Sequence, residues 1–254
     1  MVQQHLQTGQ EIGSRARYFL RAVARQDMIC SLTTMRPPLI PTLAWMDIEC
    51  EMFGDRFMGL TATLMPTLEE LCILAKEFRQ YRGGSMTITW DDTENDLYLR
   101  ADEIAFRVQT WHPLGKVESL SARTLKVFLL QAYALQAAAL LYIHRLKYPA
   151  GISEEADRIA LAKACEILAH LSAPPEELRM STLPAFVAAC EMSTENDRAT
   201  AISIFDGIYL SRKTATTLRT KEFCIRRVWH ARDCGMDWNW MNLVQQYPWE
   251  CVPI

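Results

Sequence analysis

The sequence predicts an all-α fold, a single multi-helix domain of antiparallel packed helices. Three observations carry that expectation. Apolar residues recur at helical spacing from end to end of the 254-residue chain. The runs are separated by short Pro, Gly and cap-residue connections of the length that joins antiparallel neighbours. Period-2 alternation is confined to one short stretch, SMTITW, Ser85 to Trp90.

Residues 11 to 32 form the first amphipathic helix, broken by Pro37, Pro38 and Pro41. The next starts at Thr67 behind Pro66, with Thr67 and Glu70 as a capping box, and stops at Gly83 and Gly84. An acidic loop, DDTENDLYLRADE, leads into a helix over residues 101 to 111 that Pro113 ends. The long apolar helix from Ser121 to Tyr148 follows, and Pro149 and Gly151 turn the chain so that Ser153 caps a helix reaching Leu171. Further helices occupy 182 to 192, 195 to 210, 216 to 233 and 237 to 246.

Composition narrows the function classes. Half the residues are hydrophobic, which excludes a disordered linker. Against 27 Lys and Arg stand 30 Asp and Glu, giving a net charge of -3 with no basic block. That disfavours the broad positive surface that neutralises phosphates on nucleic acid. The eight cysteines (30, 50, 72, 165, 190, 224, 234 and 251) are scattered through apolar runs and read as reduced, buried small hydrophobes. The start, MVQQHLQTGQEIGSR, lacks the apolar core of a secretory signal. Val127 to Ile143 is the best membrane candidate, but it falls short of the ~20 residues a span needs and reads as a buried central helix.

Asp92, Glu94, Asp96 and Glu103 fit positions of a calcium loop, yet Leu97 stands where the sharp turn requires Gly, so the stretch reads as a solvated acidic loop. His230 and Cys234 share a helix face with Asp233 and Cys224 nearby, but a zinc site needs more ligands, so they read as a helix end stopped by Gly235. No nucleophile elbow, phosphate loop or dinucleotide fingerprint occurs, and no catalytic, cofactor-binding or metal-binding residue is assigned. His112 and His170 are helix-end histidines, each a general base in principle only. In the string Ser193 to Arg198, Ser193 or Thr194 caps a helix whose first turn carries Glu195 and Asp197, while Arg198 is free to reach a neighbouring element. Trp229, Trp238, Trp240 and Trp249 cluster near the C-terminus and read as packing anchors.

The stretches LPAFVAACEMSTENDRATAI and FCIRRVWHARDCGMDWNWMNLVQQYPWECVPI resemble the C-terminal half of the fungal-specific transcription factor regulatory domain of binuclear zinc cluster proteins. Pro184, Phe186, Ala189, Cys190, Glu191, Asp197, Arg198, Val228, Trp229, Asp237 and Trp238 sit in the matching places. The likeness continues upstream through AAALLYIHRL, MGLTATLMPTLEELCILAKE and RQDMICSLTTMRPPL. It implies a regulatory or interaction module across 1–254, starting part-way into the domain without the family's leading helices. The resemblance further implies a nuclear protein that contacts the transcription machinery or a zinc cluster relative, compatible with a homodimer and responsive to a small apolar ligand, as some relatives are. The family's six closely spaced cysteines and basic linker do not occur here, so direct specific DNA binding is not implied. Two other readings stand beside it: a standalone small-molecule-binding protein or biosynthetic-pathway enzyme that reuses the helical scaffold, and a truncated, inactive product.

Overall fold

Helical spacing decides which face of each element is buried. The computed structural model describes residues 13–47, 57–83, 90–113, 120–172, 181–251 and 253. Helix α1 (Ser14–Thr34) buries Ala24, Met28 and Leu32, and two 3-10 turns, Thr42–Ala44 and Ala62–Leu64, carry the chain to α2 (Met65–Arg82). Helix α3 (Trp90–Thr110) buries Leu97, Ala101, Ile104 and Val108, and α4 (Ala122–Lys147) buries Ala134, Ala138, Leu141 and Arg145. Then come α5 (Glu154–His170), α6 (Thr182–Ala189) and α7 (Glu195–Arg212). Helix α8 (Ala215–Phe223) runs through a π-helical segment, Cys224–Trp229, into α9 (His230–Asp233), and α10 (Trp240–Gln246) follows.

The fold is all-α, and no strand occurs among the described residues. Of SMTITW, residues 85–89 lie outside the described part and Trp90 opens α3. Successive helices pack on one another from α1 to α8, and α10 returns against α1, so one continuous core includes residues from Ala24 to Cys251. Gln245 donates to the Thr34 carbonyl at 2.9 Å and Tyr142 donates to the Leu32 carbonyl at 2.8 Å, tying the end of α1 to both α10 and α4.

The central helix is longer than the apolar run suggests. It has 26 residues and is long and apolar enough to cross a membrane, so length does not settle its place. Its surroundings do: α2, α3, α5 and α6 pack around it, and Gln131 and Arg145 are buried along it.

Several element starts differ from expectation for identifiable reasons. The acidic stretch is helix from Trp90 onward, not a loop. Asp and Glu favour a helix start electrostatically, and the buried 97-101-104-108 stripe continues that helix. Arg107 forms a two-pronged pair with Glu70 and Arg100 meets Glu77 at 2.5 Å, locking α3 onto α2. Thr67 lies inside α2 and caps nothing, because Pro66 occupies the first turn, where its missing N–H costs no bond. The last helix begins at Trp240 instead of 237. Asn239 caps it, and Asp237 accepts from the Asn239 backbone N–H at 2.9 Å. Ser153 caps α5 as expected, Thr194 and not Ser193 caps α7, and Ser121 caps α4 as well.

Helix ends also explain the left-handed residues. At Gly235 (φ 66°) the Met236 N–H bonds the Ala231 carbonyl and the Gly235 N–H bonds that of Arg232, the paired bonds of a Schellman cap. Lys213 closes α7 in the same left-handed region at φ 50°, where a side chain costs about 1–2 kcal/mol. Lys213→Gly is expected to stabilise the protein by about 1 kcal/mol, raising the thermal midpoint by roughly 2–4 °C. Calorimetry checks this; a lower midpoint contradicts it.

Candidate functional site

A charge inside the apolar stripe of α4 nucleates the polar interior. Arg145 is 1% exposed, and its guanidinium donates to both carboxylate oxygens of Glu191, at 2.9 and 2.5 Å. Its remaining Nη1 reaches Asp157 Oδ1 at 2.7 Å and the Tyr148 carbonyl at 3.3 Å. Asp157 Oδ1 also accepts from the Gly151 N–H at 3.2 Å, so one carboxylate fixes both the guanidinium and the α4–α5 turn. That turn needs Gly151, whose φ is 80°.

Burial pushes the Glu191 carboxyl up, against the Arg145 guanidinium that pulls it down, while for Arg145 burial acts to lower the pKa and the two carboxylates together outweigh it, holding it above its ordinary value. Burial lowers the pKa of the second guanidinium, Arg232. Arg232 donates to the Glu191 carbonyl at 2.8 Å and lies 4.1 Å from the Trp238 ring centre, which Arg145 approaches at 5.3 Å.

The end of α6 explains why these groups converge. All eight residues of α6 are buried, so its terminal carbonyls have no water to bond and need protein donors. The Trp229 indole N–H bonds the Ala189 carbonyl at 2.8 Å, Arg232 bonds that of Glu191, and Arg198 Nε reaches that of Met192 at 3.3 Å. Cations at a helix C-terminus also complement its dipole. Arg198 in turn grips Asp233 with two bonds of 2.7 Å and lies 5.2 Å from the Trp229 ring centre.

The structure thus brings Glu191, Arg198, Trp229 and Trp238 into one junction, with Cys190 buried beside it. Pro184 and Phe186 lie in the buried α6, Phe186 edge-on to Trp240 at 5.2 Å. Asp197 stands apart, exchanging bonds with Thr194 at the start of α7, and Asp237 serves the turn before α10. Arg145, Asp157 and Arg232 are the members that sequence reasoning missed. Only Arg145 left a local signal, a charge on the stripe Ala134, Ala138, Leu141, Arg145.

Other candidates separate clearly. His230 and Cys234 approach to 3.8 Å, but no group of three His, Cys, Asp or Glu side chains suited to a metal occurs among the described residues. Cys72, Cys190, Cys224 and Cys251 are buried, as expected, whereas Cys30 is half-buried and Cys165, on a helix, and Cys234, in the turn after one, are exposed; Cys50 lies outside the described part. Burial pushes the Cys190 and Cys251 thiols up, away from the reactive thiolate. His112 is exposed and His170 stacks on Tyr133 at 6.0 Å. Trp240 is in the core, but Trp249 is 86% exposed and is no packing anchor. Two apolar cavities of about 10 Å³ each share Leu32, Leu68, Leu135 and Leu183. Each is far below the ~300–1,000 Å³ of a ligand pocket, so a ligand of that size would require the surrounding helices to part.

One titrating group is poised beside the junction. His144 shares a 2.9 Å bond with the Ala156 carbonyl, and burial together with Arg145, Lys163 and Lys147 holds its pKa below the usual 6.5. The unfolded chain therefore takes up this proton first. His144's contribution is present above about pH 6.5 and is lost as pH falls below it. Denaturant midpoints at pH 7.5 and 5.5 should differ more in the wild type than in His144→Gln; equal differences would contradict this.

Comparison with known proteins agrees with the sequence resemblance. A family model described as the fungal specific transcription factor domain matches residues 2–254. No curated protein and no solved structure matches the chain. The match takes in the whole helical core and the junction around Arg145, and the chain belongs to the fungal specific transcription factor domain family.

Proposed function

We propose that this transcription-regulator-like domain acts through protein contacts in the nucleus, without reading DNA itself, and that its motif residues hold the scaffold that presents the contact surface. The observation that carries this reading is a solvent-facing groove of about 330 Å³ between α8 and the C-terminal turn, lined by Leu218, Arg219, Glu222, Phe223, Arg226, Trp249 and Glu250. Exposed aromatic and Arg side chains around a concavity are the usual anchors of protein recognition. The motif residues Pro184, Phe186, Cys190, Glu191 and Trp229, by contrast, are buried, where bidentate pairs and capped carbonyls fix the packing. A net charge of -3 gives no support to broad phosphate binding. A small apolar ligand would act by favouring one packing of the helices around Leu32 and Leu135 over another, which requires tighter binding to one of the two states.

The test is to fuse the chain to an unrelated DNA-binding module and measure a reporter in fungal cells, alongside selection of the isolated chain on a randomised DNA pool. The fusion should change reporter output, and the selection should enrich no sequence. A silent fusion, or a reproducible enriched motif, would overturn the reading.

A further inference from the structure

We propose that the groove between α8 and the C-terminal turn binds a peptide segment of a partner protein that carries a carboxylate beside a large apolar side chain. The inference rests on the regulatory reading above and names the chemistry of the partner.

The groove is a built feature. Arg227 bonds both carboxylate oxygens of Glu250, at 2.8 and 2.7 Å, and its guanidinium lies 3.8 Å from the Tyr247 ring centre. The Glu250 N–H closes the turn onto the Tyr247 carbonyl at 3.1 Å. These contacts fix the turn that holds the Trp249 indole out of the core, 86% exposed. Arg227 comes from the π-helical segment that begins where the groove's floor residue Phe223 ends, and π segments concentrate at functional sites. The turn leaves this large apolar ring in solvent on the same groove as Leu218, where an occupant can bury both.

The charges select the occupant. Arg226 is paired with Glu222 at 3.0 Å, and Glu250 is held by Arg227. Among the described residues no carboxylate pairs with Arg219, which stands exposed on the wall beside Leu218. Glu222 and Glu250 on the rim are thus each engaged by a guanidinium, which leaves Arg219 as the lining charge offered to an occupant. A planar guanidinium pairs best with a carboxylate in two-pronged geometry. The indole of Trp249 and the side chain of Leu218 offer the adjoining apolar seat. Openness favours a peptide over a free small molecule: a compact ligand would leave one side in water, whereas a longer segment covers the indole and continues beyond the groove.

The probes are three labelled synthetic peptides: one alternating Asp with Phe and Leu, one with Lys for Asp, and one with Ser for Phe and Leu. Fluorescence anisotropy is measured with the wild type, Trp249→Ala and Arg219→Glu, each first checked for an unchanged thermal midpoint. The acidic apolar peptide should bind the wild type at least tenfold more tightly than either of the others, with affinity falling as salt rises. Trp249→Ala should weaken it at least tenfold, and Arg219→Glu should transfer preference to the Lys peptide. Equal binding of the three peptides, absence of binding, or variants that bind like the wild type would overturn the proposal. The same variants in the reporter fusion distinguish the two readings. An active wild-type fusion unaffected by both substitutions sinks the groove alone, whereas a silent wild-type fusion sinks the regulatory reading.

Discussion

Glu191→Gln should destabilise the protein by about 3–5 kcal/mol, because it leaves the Arg145 charge inside the core without its principal counterion. Both side chains are 1% exposed, so water cannot take over the lost bonds. Asp157 remains within 2.7 Å of Arg145, but it is 21% exposed and meets only one nitrogen. At roughly 2–4 °C per kcal/mol for a chain of this size, the thermal midpoint should fall by about 10 °C. Replacing both partners, Arg145→Met with Glu191→Met, should cost less than Glu191→Gln alone, because apolar side chains of similar volume carry no desolvation cost. A midpoint unchanged by Glu191→Gln would show that the pair is not formed in solution.

Trp229→Ala should cost a similar amount by a different route. Removing a buried Trp leaves a cavity worth about 3–5 kcal/mol, and here the Ala189 carbonyl also loses its donor. Trp229→Phe keeps most of the ring and loses only the N–H, so its expected cost is about 1–3 kcal/mol. Urea unfolding of the three proteins orders them wild type, Phe, Ala. Equal midpoints for Phe and Ala would mean that the hydrogen bond carries the whole effect, contrary to the packing at this ring.

The order of these helices was legible in sequence wherever one local rule decided the outcome. Ser153 and Thr194 cap helices because a hydroxyl three residues ahead of a free N–H suffices. Gly235 stops one because a left-handed residue is needed there. Where two local rules competed, the reading failed. The Asp- and Glu-rich segment after Trp90 looks like a loop by composition, yet a buried apolar stripe downstream makes it helix. Thr67 looks like a cap, yet Pro66 takes the first turn. The junction was less legible still, since Arg145 and Glu191 are 46 residues apart and Trp229 finds Ala189 at a separation of 40. The motif residues Glu191, Arg198, Trp229 and Trp238 were identified by resemblance; Arg145 showed only as a charge on an apolar stripe, and its pairing with Glu191, like the place of Arg232, depends on tertiary packing that no local pattern encodes.

The central claim is that the motif builds the scaffold while the groove makes the contact. Reporter output per folded molecule tests it most directly, with Arg198→Ala and Trp238→Phe as motif variants, and Trp249→Ala and Arg219→Glu as groove variants. Each is expressed in the DNA-tethered fusion and quantified by limited proteolysis. The motif variants should lose folded protein but keep wild-type output per folded molecule, and the groove variants should stay folded and lose output. Motif variants that remain fully folded yet fall silent, beside groove variants of normal output, would contradict the account.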